Sequence, residues 1–175
     1  MHEPRAYLGM AVTYALSPRG ACHMEGDMFN LDLGQSNVGE VGLDPGDRHE
    51  NSIEKGRMAA RLQAWRNLYN SLILCQFENP GVRPLLAAIN AATGWGLEAE
   101  DLMTLGKRIV NIKRLLNFKL GLTKACDRLP DLLLKPLNEG GSAGCRPDMH
   151  TLLAAAYAEF GWDAESGRPT EDLHL

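Results

Sequence analysis

The 175 residues are 45% hydrophobic and 23% charged, the composition of an ordinary globular fold, and the length suits one domain able to bury ~70% of the surface its unfolded chain exposes. The 18 Lys+Arg against 22 Asp+Glu leave a formal charge of −4 with no basic block, which argues against a nucleic-acid partner. No apolar run reaches the ~20 residues of a membrane helix and no signal-peptide core opens the chain, so the sequence reads as cytoplasmic.

In chain order, residues 9–16 form a small-residue stretch that permits close packing. It leads into the turn Ser17-Pro18-Arg19-Gly20-Ala21-Cys22-His23. Residues 24–47 shift to Gly, Asp and Asn with short apolar residues between, and read as a long loop, of a length that is usually functional or disordered. Over residues 50–77, Ile53, Met58, Leu62, Trp65, Leu68 and Leu72 keep one face apolar and predict a helix. Asn79-Pro80-Gly81 stops it. A second helix is expected over 84–92, with Gly94 as its C-terminal cap. A third runs over 98–119, where Leu102, Leu105, Ile109, Ile112, Leu115 and Leu116 make the apolar stripe. Residues 130–144 are irregular, and a last helix spans 147–160, with proline in its first turn and a stop at Gly161. With aromatics at 6% and Leu and Ala frequent, the fold class is all-α: a single irregular helical domain with two long loops over residues 1–175.

Three segments could carry chemistry. The turn at 17–23 delivers an imidazole beside a thiol, and histidine is the side chain whose ordinary pKa allows proton exchange near neutrality. Its plainer reading is a Ser-Pro turn whose His23 satisfies a loop carbonyl. A Cys22–His23 nucleophile–base pair is weaker still, since adjacent residues rarely face each other. The segment 70–77 ends in Cys75, which alone reads as a small buried hydrophobe on a helical face. The basic residues Lys107, Arg108, Lys113 and Arg114 read as solvated surface. The four cysteines, at 22, 75, 126 and 145, form no CxxC pair, so neither a zinc ribbon nor a thioredoxin-type motif is available, and four in a chain this long do not read as a secreted disulfide scaffold.

Taken together, Glu3-Pro4-Arg5, Gly9-Met10, Tyr14-Ala15 and the Ser17–His23 turn resemble a run found in the aldehyde:ferredoxin oxidoreductase family of tungsten-pterin enzymes. Trp65 and the segment 70–77 are similar to that family's Asp-Ser-Leu-Gly-Leu-Cys-x-Phe signature. Gly106 to Asn111 with Arg114 and Asn117 resemble its Gly-x-Arg-x-x-Asn-x-x-Arg-x-x-Asn helix, and Asp127, Leu129, Pro130, Tyr157, Gly161-Trp162-Asp163 and Gly167 resemble its C-terminal end. The match is collinear over nearly the whole chain.

The resemblance implies that Cys75 ligates a [4Fe–4S] cluster, that Asn70 and Leu74 contact a tungsten (or molybdenum) bis-pterin, and that His23 handles a proton near the metal as a catalytic residue. Residues 24–47 would help shape a substrate funnel, and ferredoxin would accept the electrons. The sequence departs from the signature at Asn70, where the family carries aspartate, and at Ile73, where it carries glycine. The family's catalytic chain is several times longer, so the resemblance implies a C-terminal helical domain. The N-terminal β domain, the middle domain and three cluster cysteines would then come from a missing N-terminal portion or a partner subunit. One cysteine cannot hold a cluster, so the polypeptide alone is not expected to turn over an aldehyde. Two further readings are an aromatic acyl-CoA reductase-type subunit and a non-catalytic helical interaction module that has lost its cofactor. A domain built to pack on others is also expected to expose an apolar patch and to form homo-oligomers.

Overall fold

The computed structural model describes residues 2–36, 38–171 and 173. Among the described residues six α-helices carry the fold: α1 (Gly9–Leu16), α2 (Met28–Asp32), α3 (Ile53–Ser71), α4 (Val82–Thr93), α5 (Ala99–Lys119) and α6 (Met149–Phe160). Among the described residues there is no β-strand, only isolated bridges. The all-α expectation holds.

The centre of the molecule is α3, packed on one side by α5, on another by α6, and capped by α1. Met58, Leu62, Trp65 and Leu68 of the expected stripe are buried, whereas Ile53 at one end is exposed. The opposite face is buried as well, because Lys55, Gln63, Arg66 and Asn67 find polar partners inside the protein. Two glycines allow this crowding. A Cβ at Gly56 would lie 2.5 Å from the Leu152 carbonyl oxygen of α6, and one at Gly106 of α5 would collide with the Ala64 carbonyl of α3. The helices therefore cross backbone against backbone at both places.

Four sequence expectations change. The stretch 9–16 is itself a helix, α1, buried at every residue; an apolar segment with no polar face has no helical period to read. Helix α3 ends at Ser71 rather than at 77, so the segment 70–77 is mostly turn. Residues 24–47 are no solvated loop: they hold α2, two 3₁₀ turns and the buried side chains of Met28, Leu31, Val38, Val41 and Leu43. Finally, the buried face of α5 is Leu102, Met103, Gly106, Val110, Asn111 and Arg114, while Leu116 of the expected stripe is exposed.

That last shift reverses the reading of the basic residues. Arg114 is not solvated surface: it pairs with Asp127, donates to the Gly167 carbonyl at 3.0 Å and lies over the Trp162 ring. Tyr157 donates to the same carboxylate; its own burial, followed by that bond, raises the phenol pKa well above its ordinary range. Asn111 accepts from Trp162 Nε1 at 2.7 Å and donates to the Phe160 carbonyl. Lys113 donates to Asn67 of α3 at 2.7 Å. Only Arg108 of the four is exposed. The spaced Asn and Arg residues of α5 thus tie the C-terminal segment to the core.

Candidate functional site

The site is built from two loops at one end of α3. The first leaves α1 through Ser17 and Pro18, and its course is fixed by Asn117 of α5, whose side chain donates to the Pro18 carbonyl at 2.7 Å. The chain then forms a 3₁₀ turn, His23–Glu25. Below that turn, Thr13 donates to the Gly26 carbonyl at 2.8 Å and Gln63 donates to the Thr13 carbonyl at 3.1 Å. Asp27 takes a two-pronged bond from Arg66 of α3, at 2.5 and 2.7 Å, with both side chains nearly excluded from solvent. A charge-assisted bidentate pair of this kind is among the more rigid connections a side chain can make.

The second loop begins where α3 stops. Ile73 N–H donates to the Asn70 carbonyl and Leu74 N–H to the Tyr69 carbonyl, the paired bonds of a Schellman cap, with Ile73 in the left-handed position at φ +59°. Leu74 turns inward and packs on the core. This leaves Ile73 outside, 92% exposed, and carries Cys75 away from the helix with its thiol exposed. Cys75 is thus neither helical nor a buried hydrophobe.

Side chains then join the two loops. Gln76, next to Cys75, donates to the carbonyl of Met24, next to His23, at 2.7 Å. It also donates to Asn70 Oδ1 at 3.3 Å, and Asn70 Nδ2 donates to Glu25 Oε1 at 3.2 Å. The same Glu25 oxygen pairs with Arg19 at 3.0 Å, and Arg19 donates to the Cys22 sulfur at 3.0 Å. His23 is half-buried, with its ring 5.5 Å from that of His2, which in turn stacks on Phe29. Burial first, and the neighbouring His23 second, lower the His2 pKa.

The structure therefore ties the segment that bears Asn70 and Cys75 to the 3₁₀ turn that bears His23, through Asn70 to Glu25 and Gln76 to Met24. Glu25 and Gln76 belong to the same cluster, and sequence reasoning did not single them out; their only signal is adjacency to the two candidate residues. Among the described residues no group of three His, Cys, Asp or Glu side chains could hold a metal ion. The described residues thus offer single ligands. The Cys75 thiol, exposed on a capped turn, is a metal ligand once deprotonated.

Comparison with known proteins gives this arrangement a family. The model of the aldehyde ferredoxin oxidoreductase family described as domains 2 and 3 matches residues 1–174. The chain belongs to the aldehyde ferredoxin oxidoreductase family. It is 34% identical to the tungsten-containing aldehyde ferredoxin oxidoreductase of Pyrococcus furiosus, over 98% of this chain and 28% of that protein. It is 33% identical to those of Pyrococcus abyssi and Thermococcus kodakarensis, over 98% and 97% of this chain and again 28% of each relative. The chain thus spans little more than a quarter of the length of these family members. No helix among the described residues is long and apolar enough to cross a membrane.

Proposed function

We propose that this chain is the C-terminal helical part of a cytoplasmic tungsten- (or molybdenum-)pterin, iron–sulfur oxidoreductase that converts aldehydes to carboxylic acids and passes the electrons to ferredoxin. The observation that carries the reading is the cross-linked pair of loops: Gln76, next to the exposed Cys75, donates to the Met24 carbonyl, next to His23, in a chain whose family match covers residues 1–174. The metal, pterin and [4Fe–4S] group supply the redox chemistry when bound. The polypeptide's own part is positional. Cys75 provides one thiolate to the cluster, and the Schellman cap holds it clear of the helix. Leu74 and Asn70 would hold the pterin, and His23 would give or take the proton that accompanies addition of oxygen to the aldehyde carbon.

The test is anaerobic purification of the tagged chain with whatever completes it, followed by metal analysis. A complex with about four irons, as a [4Fe–4S] centre requires, and stoichiometric tungsten or molybdenum is expected. Cys75→Ser should lose most of that iron. Full iron in the Cys75→Ser complex removes the ligand assignment. A second reading, a helical interaction module without cofactor, draws on Ile73, which departs from the family's signature at the backbone position glycine favours. Recovery of a partner with no metal would select it.

A further inference from the structure

A cavity of about 240 Å³ opens between the end of α1 with the turn that follows it, the second half of α5, and residues 122–128. It is separate from the candidate site: none of His23, Asn70, Leu74 and Cys75 lines it. Leu16, Val110, Leu122 and Trp162 make its apolar wall. Cavities for drug-sized ligands run to about 300–1,000 Å³, so this one suits a compact body, a single ring or a short branched chain.

Arg114, Asp127 and Arg128 bring charge to this cavity, and the first two cancel. Arg114 binds both oxygens of Asp127, and the Tyr157 hydroxyl donates to the same carboxylate, so neither charge is free. Arg128 is different. It is exposed, and its guanidinium has no ion pair and no hydrogen bond among the described residues. Asp131 lines a neighbouring cavity with Arg128 but forms no ion pair with it. What remains is one positive charge on a planar fork, at the edge of an apolar wall. Asn117 lines the same cavity; one of its amide hydrogens goes to the Pro18 carbonyl, which leaves the second for a ligand. A guanidinium fork matches a carboxylate through two parallel N–H bonds. An inorganic dianion would keep half its charge uncompensated here and make no use of the apolar wall.

We propose that this cavity binds a compact monocarboxylic acid, with the carboxylate on the Arg128 guanidinium and the hydrocarbon body against Leu16, Val110, Leu122 and Trp162. The assignment goes beyond the redox reading and needs neither metal nor pterin. Pro18, Gly20 and Ala21 belong to the same wall, so the acid packs against the turn that leads to His23. Cys126 also lines the cavity and is exposed, whereas Cys75 is exposed outside it, so the chain carries its own reporter thiol and its own control.

The experiment is a calorimetric titration of the purified chain with benzoate and with benzamide, which differ in charge but hardly in shape. Benzoate should bind about tenfold more tightly or better, as expected of hydrogen bonds to a charged group. Arg128→Gln removes the charge at an exposed position, where folding is not at stake, and should bring benzoate down to the affinity of benzamide. Saturating benzoate should also slow alkylation of Cys126 by iodoacetamide about tenfold and leave the rate at Cys75 unchanged. Equal binding of the two compounds overturns the proposal, as does benzoate affinity unchanged in Arg128→Gln, equal protection of the two thiols, or no binding of benzoate at millimolar concentration. Sulfate that binds as tightly as benzoate overturns it too, since the apolar wall would then contribute nothing. The iron content of Cys75→Ser decides the cofactor reading and bears on none of these outcomes, so the two failures are separable.

Discussion

At the scale of single residues, Ile73 is the most informative departure. The Schellman cap requires its residue to be left-handed, and a β-branched side chain there carries a steric cost of about 1–2 kcal/mol. Glycine removes that cost but adds roughly 0.5–1 kcal/mol of chain entropy. Because Ile73 is 92% exposed, no core packing is lost on replacement, and the backbone term sets the sign. Ile73→Gly should therefore stabilise the chain by up to about 1 kcal/mol, a rise of ~2–4 °C in melting temperature for a domain of this size. A lower melting temperature would mean that the isoleucine makes a contact of its own. Glycine at this position in the family's signature thus has a local explanation, the geometry of the helix end, that involves no ligand.

Between elements, two kinds of contact hold the site's scaffold. The first is a buried ion pair: Lys55 in the first turn of α3 meets Asp32 at the end of α2 at 2.5 Å, with both side chains fully buried. Burial holds the Asp32 carboxyl above its ordinary range despite the ammonium, and its second oxygen has no partner among the described residues. A carboxyl pKa raised in the folded state favours the native protein at low pH, and that contribution is lost as pH rises through the raised value. Removing either partner leaves the other buried without its counter-charge, and a carboxyl left without the ammonium takes a proton more readily as pH falls. Asp32→Asn should cost about 3 kcal/mol at neutral pH, measured by chemical denaturation. Lys55→Met should cost a similar amount at neutral pH, and its deficit should shrink as pH is lowered toward 5. A Lys55→Met deficit that grows on acidification would reverse the assignment. The second kind is the glycine crossing. Gly106→Ala drives a methyl group into the Ala64 carbonyl, where backbone cannot yield as a side chain would. A loss of at least ~2 kcal/mol, or failure to fold, is expected from circular dichroism of the variant, in line with overpacking in a tight core.

These contacts also mark the limit of what the sequence made legible. The long helices were readable because Trp65 and Leu102 recur with apolar neighbours at helical spacing, and Gly94 and Gly161 announced their ends by the left-handed conformation they adopt. The turn at 17–23 and the segment 70–77 were legible as motifs. Their juxtaposition was not, since it depends on hydrogen bonds between a side chain and a distant carbonyl, Gln76 to Met24 and Asn117 to Pro18, which leave no periodic trace. Arg114 was misread for a related reason: a basic residue on a helix signals solvent unless its acid is known, and Asp127 lies beyond the helix end.

At the scale of the whole molecule, the core accounts for only part of the apolar surface. Leu116, Leu120 and Leu122 are exposed at the end of α5, Ile73 and Phe77 stand out around Cys75, and Trp95 projects between α4 and α5. Monomeric proteins tolerate scattered exposed leucines, but groups of large exposed side chains close together in the chain, one of them flanking Cys75, fit surfaces that a partner covers. In the relatives most of the polypeptide lies outside the matched region, so material to cover such a face exists in the family. Without it, the apolar residues have only another copy of the same surface to meet. The net charge of −4 is small and gives weak protection against association. The isolated chain should therefore self-associate at micromolar concentration and bind an apolar-surface dye, and Phe77→Ser with Leu120→Ser should reduce both while leaving the helical circular dichroism intact. Sedimentation velocity is the deciding measurement. A wild-type chain that sediments as a monodisperse monomer and binds no dye would mean that these side chains are ordinary surface, and that this helical unit stands complete without a covering partner.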